Sequence, residues 1–505
     1  MCGIAAIRGG HAPQTVASML DALGHRGPDG RGIQTVDNGD GLPVTLGHAR
    51  LAIIDPDGGR QPLVAADGTA LVCNGMLYND RALRARLAHR SFVTGSDSES
   101  ALQGLVEWDT DVFRELDGMF ALIAVAAGGR VIAARDPLGI KPLYWGRVGE
   151  GLAFASEAKA LAGVATDIEA FPAGHFWDSE QGLRAFYSVP APRAARTTDA
   201  SAAACLRETL EAAVVKRLRS DVPLGAFLSG GLDSSIIAAV ARRHVDELHT
   251  FAVGLPGSTD LVAARRVAEH LGTRHHEHEI RADEVGRILP GVLHHLESHD
   301  RDLVRSAVPS WFVARLAARH VKAVLTGEGA DELFAGYGYH AEYTDMDALQ
   351  AETRRSLTTM QDVNLQRVDR MTMGHSLEAR VPFLDTAMIE LALDLPGHMK
   401  RRAGAPDRGA KWILREAFSD WLPHEIVWRD KLQFDEGSGF SDHLAGFAAR
   451  EARRRGLPCG PGPASEEAVY RQVQAETLAE PGPVLALTRR WSGGRVGPGG
   501  GRRAA

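Results

Sequence analysis

The fold of the second half of this chain is decided by one segment, VPLGAFLSGGLDSSIIAAVARR, at residues 222–243. Its first residues form an apolar run typical of a buried strand, and the stretch IIAAVARR is typical of a helix. The glycine turn between them leaves backbone N–H groups unpaired at the start of the helix, where they attract anions. A strand that passes through such a turn into a helix predicts a parallel α/β sheet with a phosphate-binding loop.

The same order of strand and helix recurs further along the chain. HTFAVGL (249–255) precedes the helix-like DLVAARRVAEHLG (260–272), and KAVLTGEGADELFAGY (322–337) follows the helix-like WFVARLAARHV (311–321). Alternation of this kind favours a parallel sheet that is covered on both faces. Ligands of such sheets bind at the carboxyl ends of the strands, so the SGGLDSS and TGEGADE loops are expected to share one crevice.

The first half of the chain has a different pattern. Short apolar runs alternate with Gly, Asp, Asn and Pro turns, which is typical of a β-rich domain. Helices are predicted at Gln14–Leu23 and Ser98–Glu107, and strands are expected in LAIID, ALVCNG, FALIAVAA, VIAARD and GLAFAS. The predicted organisation is a β-rich domain over residues 2–188, a linker over 189–204, an α/β domain over 205–485 and a disordered tail over 486–505.

Composition and charge narrow the classes of function. The 505 residues carry a formal net charge of −7 at pH 7, which argues against a nucleic-acid binder. No apolar stretch is long enough to span a membrane and no signal sequence is recognisable, so a cytoplasmic location is expected. The expected partners are small-molecule substrates and a second copy of the chain. The cysteines are too far apart to indicate a zinc site or a disulfide framework.

The SGGLDSS loop at 229–235 carries the most specific chemical signal of the second half. Gly230 and Gly231 permit close approach of the backbone, and Ser234 can donate hydrogen bonds to phosphate oxygens. The GxxxxGK[ST] pattern of a γ-phosphate cradle is missing, so the loop is interpreted as a pyrophosphate site used while the α-phosphate of a nucleotide is attacked. A simple helix cap with a glycine turn is the alternative.

A second motif, TGEGADE at 326–332, places three carboxylates within five residues. Because like charges repel, Asp331 and Asp233 are interpreted as hard oxygen ligands of a magnesium ion. A solvated acidic turn that caps the next helix is the alternative. In VWRDKLQFDEGSG, Lys431 is a candidate to neutralise charge in a transition state.

The histidine-rich segment HHEHEI, residues 275–280, resembles a metal site at first sight. In an extended chain, however, His276 and His278 share one face while His275 lies on the opposite face. A polar strand is therefore the preferred interpretation.

The amino terminus suggests a nucleophile. If the initiator methionine is removed, Cys2 carries a free α-amine that can serve as the base for its own thiol. Arg50, in GHARLAIID, can hold a carboxylate, and Asp97, in TGSDSES, can pair with an ammonium group. Asn74 and Gly75 can direct a side-chain amide and a backbone N–H at an oxyanion. Taken singly, each of these four has a turn or surface position as its simpler interpretation.

The motifs follow one another in a fixed order. The first half carries MCGI, HRGPDG, RLAIID with GGRQPL, NGMLYN, GSDSES, LDGMFA, RDPLGIKPLYW, ASEAKAL and FPAGH. The second half carries LSGGLDSS, FAVGLPGSTD, TGEGADELFAGY, LEARVPFLD and VWRDKLQF. Over residues 1–445 the chain resembles the glutamine-dependent asparagine synthetases.

The resemblance implies a multidomain α/β protein. An αββα sandwich of the N-terminal nucleophile hydrolase type would release ammonia from glutamine. A parallel-sheet domain of the adenine-nucleotide α-hydrolase type would amidate aspartate through β-aspartyl-AMP, with ATP and Mg²⁺ as cofactors. The resemblance assigns catalytic roles to Cys2, Asn74, Gly75, Glu328 and Lys431. It assigns substrate binding to Arg50, Asp97, Arg305 and Arg380. It assigns ATP contacts to Leu228, Ser229, Gly230, Gly231, Asp233, Ser234, Val253, Thr326 and Gly327, and magnesium to Asp233 and Asp331.

Two departures from the family pattern bear on substrates. Met76 in NGMLYN stands where the family has a glutamate that helps to hold the α-ammonium of glutamine, so weaker glutamine binding is expected. Asp302 and Leu303 stand where the relatives closest in this stretch carry two threonines, beside the expected aspartate pocket. The alternative is therefore an enzyme of the same family that amidates a different carboxylic acid. A non-catalytic homologue is a third hypothesis, and the intact motifs argue against it.

Overall fold

The computed structural model describes residues 2–9, 13–37, 42–193, 197–402, 409–430, 440–458 and 463–490. The strands of the first half are β1 (Gly3–Arg8), β2 (Gly30–Val36), β3 (Val44–Arg50), β4 (Leu63–Val64), β5 (Ala70–Leu77), β6 (Gly118–Val125), β7 (Val131–Arg135), β8 (Tyr144–Val148), β9 (Gly151–Ala155), β10 (Thr166–Ala170), β11 (His175–Asp178) and β12 (Gly182–Ala185). They form two six-stranded antiparallel sheets in the orders β10-β8-β9-β1-β3-β2 and β12-β11-β7-β6-β5-β4.

The second half contributes β13 (Leu224–Phe227), β14 (His249–Gly254), β15 (Arg274–Glu279), β16 (Ala323–Leu325) and β17 (Glu378–Arg380). The described α-helices of the whole chain are α1 (Pro13–Ala22), α2 (Asp80–Arg86), α3 (Ser98–Trp108), α4 (Asp199–Arg217), α5 (Leu232–Arg242), α6 (Thr259–Leu271), α7 (Ala282–Leu296), α8 (Arg301–Ala317), α9 (Ala330–Leu333), α10 (Met346–Thr359), α11 (Asn364–Met373), α12 (Thr386–Asp394), α13 (Gly397–Lys400), α14 (Trp412–Ala417), α15 (His424–Val427), α16 (Phe440–Arg455), α17 (Pro463–Thr477) and α18 (Pro481–Ala486).

The first half has four layers because both faces of its sheets are apolar. Ile4 of β1 lies in the core between the two sheets, whereas its neighbour Ala5 points to the outer face. Helix α1 buries Val16 against that outer face, and α3 buries Leu102 against the outer face of the second sheet. The expected αββα sandwich is confirmed.

One expected strand is wrong. Residues 51–54 of LAIID are buried but lie outside both sheets. The Arg50 guanidinium donates to the carbonyl oxygens of Asp55 and Pro56 over 2.5 and 2.7 Å, and Asp55 has a φ of 48°, which turns the chain away from a neighbouring strand. The other four runs named above form β5, β6, β7 and β9.

The second half is built on a five-stranded parallel sheet in the order β15-β14-β13-β16-β17. Strands β13 and β16 are neighbours, so the loops that follow them leave the sheet side by side. The SGGLDSS loop leads into α5, and the TGEGADE loop leads into the short α9. The sheet therefore brings together the two motifs that the sequence predicts to share a crevice.

A buried ion network joins the two halves. Arg26 of the first half lies 2.7 Å from Glu157 and 2.8 Å from Asp369, which belongs to α11 of the second half. Arg370, the next residue of α11, pairs with Glu297 over 3.0 Å. Because the side chains of these five residues are almost completely shielded from solvent, the network holds the two halves in one arrangement. None of the described helices is both long and apolar enough to cross a lipid bilayer.

Candidate active sites

Cys2 lies directly before β1, at the edge of the apolar layer between the sheets. Its backbone N–H donates a hydrogen bond to Asn74 Oδ1 over 3.0 Å, because β5 brings Asn74 opposite the start of β1. The Asn74 side chain is fully buried, and its Nδ2 has no hydrogen-bond partner among the described residues. A buried amide donor without a partner is suited to a developing oxyanion beside the thiol.

His48 is a site residue that the sequence predictions did not include. Burial alone would raise the pKa of the Cys2 thiol, but the nearby His48 and the positive charge of the chain terminus lower it to about 7. The His48 Nε2 atom lies 3.3 Å from the carbonyl oxygen of Cys73, which orients the ring. Since His48 precedes Arg50 by two residues, the GHAR stretch places both on one face of β3, and that spacing could have revealed it.

Gly75 follows Asn74 on β5 and faces β6. A β-carbon at Gly75 would lie 2.4 Å from the carbonyl oxygen of Met119, so only glycine permits this strand pairing. Its position next to Asn74 suits the oxyanion role that the resemblance implies. Met76, the next residue, is buried in a core shared by both halves, together with Leu51 and Met119.

Arg50 and Asp97 lie near this site, but their side chains are bound to different kinds of group. The Arg50 guanidinium is partly used by the carbonyl oxygens of the loop that follows β3. Asp97 is buried and accepts a hydrogen bond from Leu77 N over 2.7 Å. Burial and the nearby Asp80 raise the pKa of Asp97 to about 6, although the Leu77 hydrogen bond acts in the opposite direction. A substrate ammonium group would supply the cation that favours its ionised form.

The second site is a cavity of about 830 Å³ at the carboxyl ends of the parallel strands. Its wall includes the two motif loops, the end of β14 and one face of α8. The predicted residues that line it are Leu228, Ser229, Gly231, Asp233, Ser234, Val253, Arg305, Thr326, Gly327, Glu328 and Asp331. One cavity thus gathers residues as far apart in the chain as Leu228 and Asp331.

The SGGLDSS loop is shaped by its glycines and serines. Gly230 has a φ of 72°, and a β-carbon there would lie 2.5 Å from Ala263 and Ala264 of α6, so the position requires glycine. Ser229 Oγ accepts a hydrogen bond from Gly231 N over 3.3 Å and lies 3.1 Å from Ser234 Oγ. These contacts fix a turn whose backbone N–H groups precede α5, as a phosphate cradle requires.

Asp233 and Asp331 meet at Lys411, a second residue that the sequence did not single out. The Lys411 ammonium lies 2.7 Å from Asp331 Oδ1 and also pairs with Asp233 Oδ2. The two carboxylates raise the pKa of Lys411 above its ordinary value, although burial acts in the opposite direction. Asp233 Oδ1 is buried without a hydrogen-bond partner among the described residues. This set of hard oxygen atoms fits Mg²⁺, with Lys411 as a competing cation.

Glu328 is held by Arg367 of α11, whose Nη2 lies 2.6 Å from Glu328 Oε2. Burial and the nearby Asp331 and Asp233 raise the pKa of Glu328 against the effect of Arg367. Nothing in the NLQRVDRM segment marks Arg367 as a partner of Glu328, because the pairing depends on where α11 packs. The result is a partly buried carboxylate whose protonation depends on its neighbours.

The part of the cavity expected to receive the acceptor acid contains Asp302, Leu303 and Arg305. The Arg305 guanidinium binds both oxygens of Glu466, with Nε at 3.1 Å and Nη2 at 2.6 Å. Glu466 belongs to α17 and also accepts a hydrogen bond from the Tyr470 hydroxyl over 3.1 Å. The arginine predicted to bind the acceptor is therefore already paired with a carboxylate of the chain itself.

Of the predicted residues of this half that the structure describes, Gly230 and Arg380 are not among those that line the cavity. Arg380 is fully buried on β17, where its guanidinium binds Glu378 over 2.6 Å and the carbonyl oxygens of Arg217 and Arg219. Lys431 lies outside the described residues, although its neighbours Arg429 and Asp430 line the cavity.

Comparisons with known proteins agree with this architecture. The model of the glutamine amidotransferase domain matches residues 1–182, and that of asparagine synthase matches 205–347 and 341–493. The chain is 39% identical over 466 residues to glutamine-hydrolysing asparagine synthetase 3 of Arabidopsis thaliana, covering 87% of this chain and 80% of the relative. A probable asparagine synthetase of Schizosaccharomyces pombe is 39% identical over 484 residues, covering 87% of this chain and 85% of that protein.

Among solved structures, the glutamine phosphoribosylpyrophosphate amidotransferase of B. subtilis with ADP and GMP matches at 23% identity and a TM-score of 0.33. That match covers 49% of this chain and 65% of the other. The αββα sandwich and the parallel sheet with its phosphate-type loop define a two-domain α/β enzyme in which an N-terminal nucleophile hydrolase fold precedes a nucleotide-binding type of domain. The chain belongs to the asparagine synthase family.

Proposed function

We propose that this protein is a glutamine-hydrolysing, ATP-dependent enzyme that amidates aspartate to asparagine. One chain contains both a cysteine of lowered pKa, beside an amide donor that has no partner among the described residues, and a cavity that joins a phosphate-type loop to partly buried carboxylates. This observation carries the proposal. Curated relatives at 38–39% identity are named for this activity.

In the proposed first reaction, the Cys2 thiolate attacks the side-chain amide carbon of glutamine. Asn74 Nδ2 and the Gly75 N–H would stabilise the oxyanion, ammonia would leave, and water would hydrolyse the thioester to glutamate. Arg50 would bind the α-carboxylate of glutamine and Asp97 its α-ammonium group. Removal of Met1 would expose the α-amine of Cys2 as a base for proton transfer.

In the proposed second reaction, a carboxylate oxygen of aspartate attacks the α-phosphorus of ATP and pyrophosphate leaves. The SGGLDSS loop would bind the pyrophosphate, while Leu228, Val253 and Thr326 with Gly327 would contact the nucleotide. Ammonia then attacks the acyl carbon and AMP leaves. Glu328 would accept the proton of the attacking ammonia, and Lys431 would stabilise the charge of the intermediate.

Asp233 and Asp331 would hold Mg²⁺, which supplies positive charge to the phosphates when bound. Lys411 would have to leave at least one of the two carboxylates for this to occur.

The cytoplasmic location and the homodimer remain predictions, as do the domain boundaries at 188 and 204.

The test compares the wild-type protein with Cys2→Ala. We expect the variant to lose glutamine-dependent synthesis and to retain ammonia-dependent synthesis, because only the first reaction uses the thiol. Pyrophosphate exchange into ATP that requires aspartate supports the second reaction. Persistent glutamine-dependent synthesis in Cys2→Ala would exclude the assigned nucleophile, and mass spectrometry of the mature amino terminus shows whether Met1 is removed.

A second candidate function, amidation of a different carboxylic acid, is favoured by the occupied state of Arg305. With Glu466 bound there and Asp302 beside it, an acceptor that lacks aspartate's second carboxylate would fit better. A panel of acids in the pyrophosphate exchange assay distinguishes the two functions. Exchange that the wild-type protein carries out with aspartate supports the first function. Exchange that occurs only with another acid, or with aspartate only after Glu466→Gln, supports the second.

A further inference from the structure

Three imidazoles meet on the parallel sheet, at its amino end. The Nδ1 atom of His249 lies 3.1 Å from Nε2 of His276, and the rings of His276 and His320 are stacked with centroids 4.0 Å apart. One nitrogen from each of the three lies within 4.8 Å of the others. The motif loops leave the sheet at its carboxyl end, so this cluster is separate from the candidate active sites.

The register of the sheet explains why the cluster forms. His249 is the first residue of β14, and Phe251, two residues later, is the partner of His276 on β15. The two histidines therefore point to the same face. Helix α8 packs on that face, and its end at Ala317 brings His320 over the other two rings. The buried Phe251 lies beneath His276 with centroids 5.2 Å apart, which limits how that imidazole can rotate.

A carboxylate stands behind the cluster. Glu247 Oε1 lies 3.1 Å from Nε2 of His249, on the opposite side of the ring from the nitrogen that faces His276. Metal-bound imidazoles commonly donate their second N–H to a carboxylate in this way, which orients the ring and makes the ligand nitrogen more basic. Glu247 also lies 3.5 Å from Arg274, so the nearest cation is partly neutralised.

We propose that His249, His276 and His320 form a binding site for a divalent transition-metal ion such as Zn²⁺ or Co²⁺. Three imidazole nitrogens are a common ligand set for these ions and leave a fourth position for water or another ligand. His249 and His276 are partly buried and His320 is exposed, so the ion has a route from solvent.

A second group of possible metal ligands is less suitable than the three histidines. His25, Glu157 and His295 also bring their donor atoms within 4.8 Å of one another. Their carboxylate, however, is bound by Arg26 over 2.7 Å and by Lys159. Two cationic side chains paired with the one carboxylate repel a divalent ion. The proposal therefore does not include this group.

The test uses the full-length protein after treatment with a chelator. Co²⁺ is titrated and followed by its visible absorption, and Zn²⁺ binding is measured by calorimetry. We expect one equivalent of ion at this site in the wild-type protein. His276→Ala and His320→Ala should each lower the affinity by more than about 100-fold, and Glu247→Gln by about 10- to 100-fold.

His278→Ala is the matched control, because His278 lies on the same strand and face but outside the cluster. We expect it to bind the ion like the wild-type protein. His320→Ala removes an exposed side chain, and circular dichroism without metal checks that both ligand variants keep the fold. If the wild-type protein and both variants bind the ion equally, the result indicates an adventitious ion only and overturns the proposal. The absence of binding to the wild-type protein would also overturn it.

Discussion

At the scale of single residues, His48 determines whether Cys2 is ionised near neutral pH. His48 and the chain terminus lower the pKa of the thiol to about 7, whereas burial alone would raise it. We predict that His48→Gln moves the pKa toward or above the value of about 8.5 for a free cysteine. Because the thiolate is the proposed nucleophile, glutaminase activity at pH 7 should fall about tenfold or more.

The measurement is the pH profile of kcat/KM for glutamine hydrolysis. Its rising limb should be centred near pH 7 in the wild-type protein and at least about one unit higher in His48→Gln. Ammonia-dependent synthesis serves as the control, since it does not use the thiol and should be unchanged. A rising limb at the same pH in both proteins would contradict the role of His48.

Asp97 gives a second pH dependence with its own sign. Its pKa is raised to about 6, so the carboxylate is ionised above that pH and neutral below it. If Asp97 binds the α-ammonium of glutamine as proposed, only its ionised form attracts that group, and the affinity for glutamine should fall as the pH drops through about 6. Calorimetry in the Cys2→Ala background, from about pH 5 to about pH 8, isolates this effect from ionisation of the thiol.

Met76→Glu in the same background tests the departure noted in NGMLYN. A carboxylate at this position should hold the ammonium group directly and tighten glutamine binding about tenfold or more. Met76 is buried in an apolar core, so the variant should also be less stable in the absence of glutamine. Equal glutamine affinity in Met76→Glu and its parent would show that Asp97 alone suffices.

At the scale of elements, the loop before α5 depends on one backbone conformation. Gly230 has a φ of 72°, and a β-carbon there would collide at 2.5 Å with the backbone of α6. We predict that Gly230→Ala displaces the SGGLDSS loop and raises the KM for ATP at least about tenfold. Glutamine hydrolysis should persist, because the loop belongs to the other half of the chain.

Gly257→Ala is the matched control for this prediction. Gly257 also has a positive φ, of 82°, but a β-carbon there would meet no atom within 4 Å. Its substitution should cost about 1 kcal/mol of stability from backbone strain and leave ATP binding unchanged. If the two variants bind ATP equally, steric displacement of the loop is excluded as the cause.

Elements with a strong local pattern could be predicted from the sequence, and those defined by their neighbours could not. β13, β14 and α5 carry apolar runs or a glycine turn, and the structure contains them where the sequence predicts. β17 reads Glu-Ala-Arg and has no apolar pattern. It is a strand because β16 pairs with it and because Glu378 and Arg380 neutralise each other in the core.

The same reasoning applies to the sites. Cys2, Asn74 and the residues of the two motif loops could be found because each stands in a distinctive stretch of sequence. Lys411 and Arg367 could not, because an ordinary lysine or arginine gives no sign of its distant carboxylate partner. Glu466 could not be predicted for the same reason, because its contact with Arg305 joins residues that are 161 positions apart in the chain.

At the scale of the whole molecule, α11 connects the two candidate active sites. Arg367 binds Glu328 in the cavity over 2.6 Å, and Asp369, two residues later, binds Arg26 over 2.8 and 3.1 Å. Arg26 in turn donates from Nε to the carbonyl oxygen of Cys2 over 3.0 Å. Helix α11 thus carries one side chain that binds the carboxylate of the second site and another that is linked, through Arg26, to the backbone of the thiol residue.

This position of α11 between the two sites predicts that the coupling between the reactions depends on Asp369. Asp369→Asn leaves a buried Arg26 with one anionic partner fewer and should lower stability by about 3 kcal/mol or more. Because the contact holds the two halves together, ammonia should escape more easily and glutamate formed per asparagine should rise. Asp21→Asn removes an exposed ion pair with Arg31 and should change neither quantity by more than a small amount. An unchanged product ratio in Asp369→Asn, together with reduced thermal stability, would limit the network to a structural role.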